Sequence, residues 1–133
     1  MSQSWEAESL NHQVGFADGD GWAANIYTDR QILLYGPYTT SIPQGAHTAV
    51  WKMLVDNNTA DQRPIVTLDV WDSTASKQLA ITTLFRNAWS ASNVYEYFGI
   101  PFSIDASEVG HAIEIRVTYD GYSYVRVDKV GYR

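Results

Sequence analysis

The fold of this chain is decided by Ile113-Glu114-Ile115-Arg116-Val117-Thr118-Tyr119, a stretch in which apolar and polar residues alternate. Successive side chains of a β-strand point to opposite faces, so this alternation predicts a half-buried strand with its isoleucines inside and its charges outside. The step Asp120-Gly121 follows, and residues 124–130 then alternate in the same way. An Asp-Gly step between two alternating stretches favours a β-hairpin.

The same pattern extends over most of the chain and predicts eight short strands. They lie near residues 5–9, 31–41, 46–56, 64–72, 78–86, 94–104, 111–119 and 124–132. Turn-forming residues such as Pro43-Gln44-Gly45 and Asp56-Asn57-Asn58 separate them. Short strands at this spacing are typical of an antiparallel sandwich or barrel. We expect one all-β domain over residues 1–133.

Composition excludes several classes of function. The 133 residues carry a net charge of −6, which opposes phosphate backbones, so nucleic-acid binding is not expected. The chain has no cysteine, which excludes disulfides, thiol nucleophiles and zinc–thiolate sites. No stretch approaches the roughly 18 apolar residues that a membrane span requires, and residues 1–6 lack the pattern of a signal peptide.

Motifs of catalysis are absent from the sequence, and we expect no enzymatic activity. There is no Gly-x-Ser-x-Gly elbow, no phosphate-binding glycine loop with lysine and no His-Glu-x-x-His pair. Two acidic residues brought together by folding would still suit a small glycan hydrolase or lyase, and this stays open as an alternative.

Acidic residues at the start and end of the chain point to a hard cation. Glu6 and Glu8 are two positions apart, which places them on one face of an extended strand, and Asp128 lies in the last predicted strand. Three carboxylates with backbone carbonyls would suit Ca²⁺, which takes six to eight oxygen ligands. The alternative is that both glutamates face solvent beside a lysine or arginine.

Three segments resemble the carbohydrate-binding modules of families 6 and 35. They are the opening Trp5-Glu6-Ala7-Glu8, the strand and turn Tyr38-Thr39-Thr40-Ser41-Ile42-Pro43-Gln44-Gly45, and the ending Val125-Arg126-Val127-Asp128-Lys129-Val130. The resemblance implies a β-sandwich of the jelly-roll type that binds oligo- or polysaccharide without cleaving it. It also implies a secreted or cell-surface location, with the module appended to a catalytic domain.

The resemblance further implies a set of site residues. A structural Ca²⁺ would be held by Glu6, Glu8 and Asp128. A sugar-binding cleft would lie in the loops at one end of the sandwich. Its predicted residues are Trp89, Tyr122 and one of the two tyrosines Tyr38 and Tyr35, with Asn87 and Arg86 beside Trp89. The loop that carries Trp22 and Tyr27 is an alternative place for the cleft.

Trp5, Trp51 and Trp71 lie in predicted strands, and we assign them to the core. An alternative function is that of a structural or adhesive sandwich domain of a surface protein without a sugar cleft.

Overall fold

The computed structural model describes residues 1–133 and contains eleven β-strands. The strands are β1 (Gln3–Glu6), β2 (Phe16–Asp18), β3 (Gly21–Ala24), β4 (Ile32–Leu34), β5 (Pro37–Thr39), β6 (Gly45–Val55), β7 (Pro64–Asp72), β8 (Lys77–Phe85), β9 (Glu96–Ile104), β10 (Ile113–Tyr119) and β11 (Val125–Tyr132). Single turns of 3-10 helix span Ala7–Ser9 and Arg86–Ala88. The structure has no helix of the length and hydropathy needed to cross a membrane.

The strands form two antiparallel sheets. The first sheet has the order β2-β3-β11-β6-β9, and β1 also pairs with β11. The second sheet has the order β4-β10-β7-β8, and β5 also pairs with β10. The predicted all-β antiparallel sandwich of the jelly-roll type is confirmed.

The core lies between the two sheets and follows the alternation of the strands. Ile113, Ile115 and Val117 of β10 are buried and belong to a cluster of 24 buried apolar residues. Trp51 of β6 joins them and is fully buried. The inward face that the sequence predicts for β10 is therefore confirmed.

The predicted hairpin between β10 and β11 is wrong, because the two strands belong to different sheets. β10 pairs with β7 over its whole length, from Ile113 opposite Asp72 to Tyr119 opposite Val66. The backbone N–H of Asp120 then donates to the carbonyl of Ile65 in β7, so the chain stays with the second sheet before it crosses. An Asp-Gly step fixes a local turn, but the partner of each strand is decided by contacts far along the chain.

Two other differences concern short strands. β2 and β3 were not predicted, and they are only 3 and 4 residues long. The predicted strand over 31–41 is divided into β4 and β5 at Gly36-Pro37. Gly36 has a φ of 106°, a left-handed conformation that favours glycine, and Pro37 has no N–H for a ladder hydrogen bond.

Trp89 is a core residue, which corrects its assignment to an exposed loop platform. Its side chain is 1% exposed and packs edge-on against Phe98, with ring centroids 5.0 Å apart. Its indole N–H donates to the carbonyl of Met53 at 3.1 Å. The polar residues around Trp89 in sequence face solvent, while the indole closes one end of the sandwich.

Arg86 is also structural, which corrects its assignment to sugar binding. The residue is 4% exposed, and its Nε donates to Asp61 at 2.8 Å. Its other donors reach the Asn57 carbonyl at 2.8 Å, the Ser123 hydroxyl at 2.8 Å and the Tyr122 carbonyl at 2.5 Å. One guanidinium therefore joins the β6–β7, β8–β9 and β10–β11 connections.

Truncation of an inward side chain of β10 tests the sandwich. Ile115→Ala should lower the free energy of unfolding by about 2–5 kcal/mol, the range for a buried aliphatic residue that leaves a cavity. Ile81→Ala makes the same chemical change at a residue that is 57% exposed and should cost less than about 1 kcal/mol. Urea unfolding of both variants gives the comparison, and equal costs would contradict the assignment of faces.

Removal of the Arg86 guanidinium tests the joint between the connections. Arg86→Met should destabilise the protein by about 3 kcal/mol, because it leaves buried acceptors unpaired. Arg63→Met is the matched control, since Arg63 is exposed and forms no ion pair. A melting curve for Arg86→Met that coincides with that of the control would show that Arg86 has no structural role.

Candidate functional site

The outer face of the second sheet carries a group of aromatic and charged side chains, which we call the sheet face. Its members are Tyr35, Tyr38, Asp69, Trp71, Gln78, Glu114 and Arg116. β10 lies in the middle of this group, with β7 on one side and β4 and β5 on the other. Glu114 lies opposite Trp71 on β7 and opposite Pro37 on β5.

On the part of the sheet face nearest β7 and β8, an ion pair holds the side chains in place. Arg116 donates from Nη2 to Asp69 at 2.6 Å and from Nε to both carboxylate oxygens at 3.1 Å. Gln78 of β8 adds a hydrogen bond to Asp69 at 3.3 Å. The guanidinium of Arg116 also packs on the indole of Trp71, with its central carbon 4.7 Å from the ring centroid. These contacts hold Trp71 and Arg116 in one arrangement.

Glu114 and Tyr38 occupy the side toward β5. Glu114 points outward as the alternation predicts, yet it is buried by its neighbours. This burial raises the pKa of Glu114, although the charge of Arg116 opposes the effect. Burial also raises the pKa of Tyr38, and the nearby Glu114 carboxylate adds to this. Tyr38 itself keeps 43% of its surface exposed.

Tyr35 and Tyr38 line one depression, together with Glu114, Arg116 and Gln13. Tyr38 has a φ of 68°, a left-handed conformation that is rare for a bulky residue. The two tyrosines that the sequence offered as alternatives therefore lie in the same place, on a sheet and not in the loops at the end of the sandwich.

Trp71 is a residue of this face that the sequence analysis placed in the core. It is only partly buried and projects outward from β7. A signal for this was present, because Trp71 lies two positions after Asp69 and four positions after Thr67. Side chains at such spacing share one face of a strand, so the polar character of Asp69 and Thr67 marks the face of Trp71 as the outer one.

The loop end of the sandwich consists of the connections 25–31, 56–63, 86–95 and 120–124. Tyr122 lies there with a φ of 70°, and its ring is not free for stacking as predicted. Arg30 and Arg63 both lie over it, with guanidinium carbons 4.4 Å and 4.6 Å from its centroid. Asn87 is exposed at the same end, and Tyr27 is 87% exposed at the tip of the β3–β4 connection.

The predicted calcium ligands lie where β1 and the turn Ala7–Ser9 meet β11. Glu6 is opposite Lys129 in the β1–β11 ladder, and Asp128 lies at an irregularity of β11 where the register with β6 shifts. Burial raises the pKa of Glu8, and the charges of Glu6 and Asp128 raise it further.

The fit of these residues to a calcium ion is partial. Neither Glu6 nor Glu8 forms an ion pair, whereas Asp128 binds the ammonium of Lys52 at 3.0 Å. Carboxylate oxygens are the hard ligands that Ca²⁺ prefers, so the donor chemistry fits. No three His, Asp or Glu side chains are already arranged around one point as metal ligands.

Comparisons with known proteins agree on the architecture. No protein-family profile matches the chain, and no curated protein matches it in sequence. Among solved structures, a family 6 carbohydrate-binding module of Cellvibrio mixtus lichenase 5A, in complex with cellotriose, superposes with a TM-score of 0.56. It is 10% identical, over 98% of this chain and 95% of that one.

Two further solved structures are similar over nearly their whole length. A family 35 module from Clostridium thermocellum has a TM-score of 0.56 and 15% identity, over 99% of this chain and 98% of that one. A family 36 module in complex with calcium and xylotriose has a TM-score of 0.55 and 13% identity, over 98% and 99%. Identities this low establish a common fold only. The chain thus has the β-sandwich fold of carbohydrate-binding modules of the family 6 and 35 type.

Proposed function

We propose that residues 1–133 form a non-catalytic carbohydrate-binding module and that the sheet face is its main sugar-binding surface. The observation that carries this proposal is the position of Trp71 and Tyr38 on either side of Glu114 and Arg116. Aromatic rings beside fixed polar groups are the combination that sugars require, because a pyranose has an apolar C–H face and a rim of hydroxyls.

The dimensions of the face suit a short stretch of glycan. Trp71 and Tyr38 lie on strands that flank β10, so two strand spacings, about 10 Å, separate their backbones. A sugar would stack on the part of the indole that Arg116 leaves uncovered, and the exposed ring of Tyr38 would contact the next unit. Arg116 would donate to hydroxyls between the two rings, and Gln78 on β8 would donate to hydroxyls on the far side of the indole.

The polar groups of the sheet face are already held in place, which favours binding. Arg116 is fixed by Asp69 and Trp71, and Glu114 is held among its neighbours. Groups that are fixed beforehand lose little conformational entropy when a ligand arrives. The area offered by two rings is still small, so we expect weak affinity, with a Kd of about a micromolar to a millimolar.

The proposal does not include catalysis. Asp69 and Glu114 are the two carboxylates of the face. In a glycosidase, one carboxylate of the catalytic pair must be free to act as base or nucleophile. Asp69 accepts three hydrogen bonds from Arg116 and one from Gln78, which leaves it poorly placed to attack a sugar or activate water.

Removal of the aromatic rings tests the sheet face. Trp71→Ala and Tyr38→Ala should each weaken binding of neutral oligosaccharides at least about tenfold, since the stacking area is lost. The measurement is a glycan-array screen with the whole chain, followed by calorimetry with the best neutral hit. A reducing-end assay on the same hit should show no cleavage.

Tyr97→Ala provides the matched control, because Tyr97 is 61% exposed on β9 of the first sheet, away from the sheet face. It should leave the affinity unchanged within about twofold. Equal losses in Tyr97→Ala and Trp71→Ala would contradict the location of the site. A wild-type chain without any hit on the array would contradict the function.

We also propose that the module binds one structural Ca²⁺ through Glu6, Glu8 and Asp128. The supporting observation is the accumulation of three carboxylates, of which only Asp128 has a cationic partner. The ion would neutralise these charges and join the opening of the chain to β11. Asp128 would have to release the ammonium of Lys52 before it could bind the ion. We therefore expect the affinity for Ca²⁺ to depend on Lys52.

Removal of calcium tests this site. At a hundredfold excess over its Kd, an ion that binds only the folded state stabilises it by about 2.7 kcal/mol. A chelator should therefore lower the melting temperature by several degrees, and Glu8→Gln should remove most of that response. Asp29→Asn, at an exposed carboxylate outside the cluster, should retain it. A melting temperature that the chelator does not change, with no calcium found by elemental analysis, would contradict the site.

A further inference from the structure

One side of the sandwich ends in two long edge strands, and we call it the open side. β8 is the last strand of the second sheet there, and β9 is the last strand of the first sheet. No residue of β8 is buried, although most of its neighbour β7 is. Leu79, Leu84, Phe98 and Ile100 on these edges pack against the core yet stay partly exposed. Apolar surface of the core therefore reaches solvent at the open side.

The backbone of β8 presents unpaired hydrogen-bonding groups to the open side. Ile115 of β10 donates its N–H to the carbonyl of Gly36, away from its β7 partner Val70. Val70 therefore directs its own backbone groups toward β8. Because these groups alternate in direction along a strand, those of Ile81 and Thr83 point away from β7. No strand pairs with that side of β8.

The other edges of the two sheets are short or blocked. β2, β4 and β5 have three residues each, and β1 has four. β9 is long, but it contains Glu96 and Pro101, and proline has no N–H to donate to a new ladder. β8 has no proline, and its single charge is Lys77 at its start. A long apolar edge without such protection is a template for pairing with another strand.

We propose that β8 pairs with β8 of a second copy of this chain, antiparallel and across a two-fold axis at Thr82. The ladder with β7 is regular from Ala80 to Leu84 and shifts register on either side, so this is the part that can extend the sheet. With the axis at Thr82, Ile81 of each copy lies opposite Thr83 of the other. These are the residues whose backbone groups point outward, so each such pair exchanges both of its hydrogen bonds.

Charge restricts the contact between copies to this edge. The net charge of −6 makes two copies repel over most of their surfaces. Residues 78–85 contain no charged side chain, and the antiparallel arrangement places the two copies of Lys77 at opposite ends of the contact. Ile81, which is 57% exposed, gains a β-branched partner in Thr83 of the other copy, a favourable cross-strand pair.

The size of the edge indicates a weak dimer. The whole of β8 spans about 30 Å, and the strip that it offers is about one sheet spacing, 10 Å, in depth. This area is well below the roughly 800 Å² that each partner contributes to a standard interface. We therefore expect a Kd on the order of 0.1 mM.

The dimer would place two sheet faces side by side, and this part of the inference rests on the proposed sugar binding. A two-fold axis perpendicular to the sheet leaves the outer faces of both second sheets on one side. The two β7 strands, each with its Trp71, would be three strand spacings apart, about 14 Å. A polysaccharide that spans both faces should bind more tightly than an oligosaccharide that reaches only one.

Sedimentation velocity of the whole chain measures the dimer without any ligand. Between about 5 µM and about 1 mM protein, which brackets the expected Kd, the weight-average mass should rise from 14.9 kDa toward twice that value. Ile81→Lys should hold the mass at that of the monomer, because it adds a charge to the edge without removing a hydrogen bond to β7. It should also weaken polysaccharide binding while it leaves oligosaccharide affinity unchanged.

Ile26→Lys is the matched control for the charge. Ile26 is 63% exposed in the connection between β3 and β4, and these strands lie away from the open side. This variant should dimerise like the wild-type chain.

A cross-link tests the register. The chain has no cysteine, so one introduced thiol reports on one contact. Thr82→Cys places both thiols at the axis, in a pair whose Cα atoms lie about 4.5 Å apart, a separation that a disulfide can span. With oxidised glutathione it should form a covalent dimer at least about tenfold faster than Ala80→Cys, which faces the same side but lies opposite Leu84 of the other copy.

Three results would overturn the proposal. The first is a mass that stays at the monomer value throughout the concentration range. The second is association that persists in Ile81→Lys, or cross-linking that is equally fast at both thiol positions, because either would assign the contact to another surface. The third is growth beyond the dimer, which would indicate unspecific edge pairing. A chain that dimerises as expected but binds no sugar would support the contact and contradict only the proposed function.

Discussion

Arg86 brings the two sheets together at the loop end, because its guanidinium donates to two connections that each cross from one sheet to the other. Asn57 and Asp61 belong to the crossing from β6 to β7, and Tyr122 and Ser123 to that from β10 to β11. Arg86 itself begins the crossing from β8 to β9. Such loops lack a ladder of their own, so a buried cation with several acceptors supplies the order that strands obtain from pairing.

The sheet face and the loop end depend on this arrangement in different ways. The sheet face is built on β7 and β10, whose ladder of seven residue pairs would hold Trp71, Asp69 and Arg116 in register even if the loops moved. The loop end has no such support, and the position of Tyr122 depends on its hydrogen bond with Arg86. The geometry of the loop end is therefore more sensitive to changes in the interior than that of the sheet face.

The sequence allowed the sandwich to be predicted because the relevant signals are local. Alternation assigned the inner face of β10, and turn residues placed most strand boundaries within two residues of those observed. Strand pairing is not local, which explains why Asp120-Gly121 suggested a hairpin where the chain changes sheets. Trp89 escaped prediction for a similar reason, since the Met53 carbonyl that accepts its indole N–H lies 36 residues away in sequence. Trp71 could have been assigned correctly from its even spacing to Asp69.

Tyr38 and Tyr122 share the left-handed backbone conformation, which is found at only four residues other than glycine. A bulky side chain in that region raises the energy of the native state by about 1–3 kcal/mol, and glycine would avoid this. Each tyrosine thus limits the free energy of unfolding that the protein can reach while it keeps these side chains on its surface. Replacement by glycine would relieve the backbone but remove the ring, so at Tyr38 selection for thermal stability alone would erode the proposed sugar-binding surface. The persistence of aromatic residues at such positions in related chains would therefore record selection for binding.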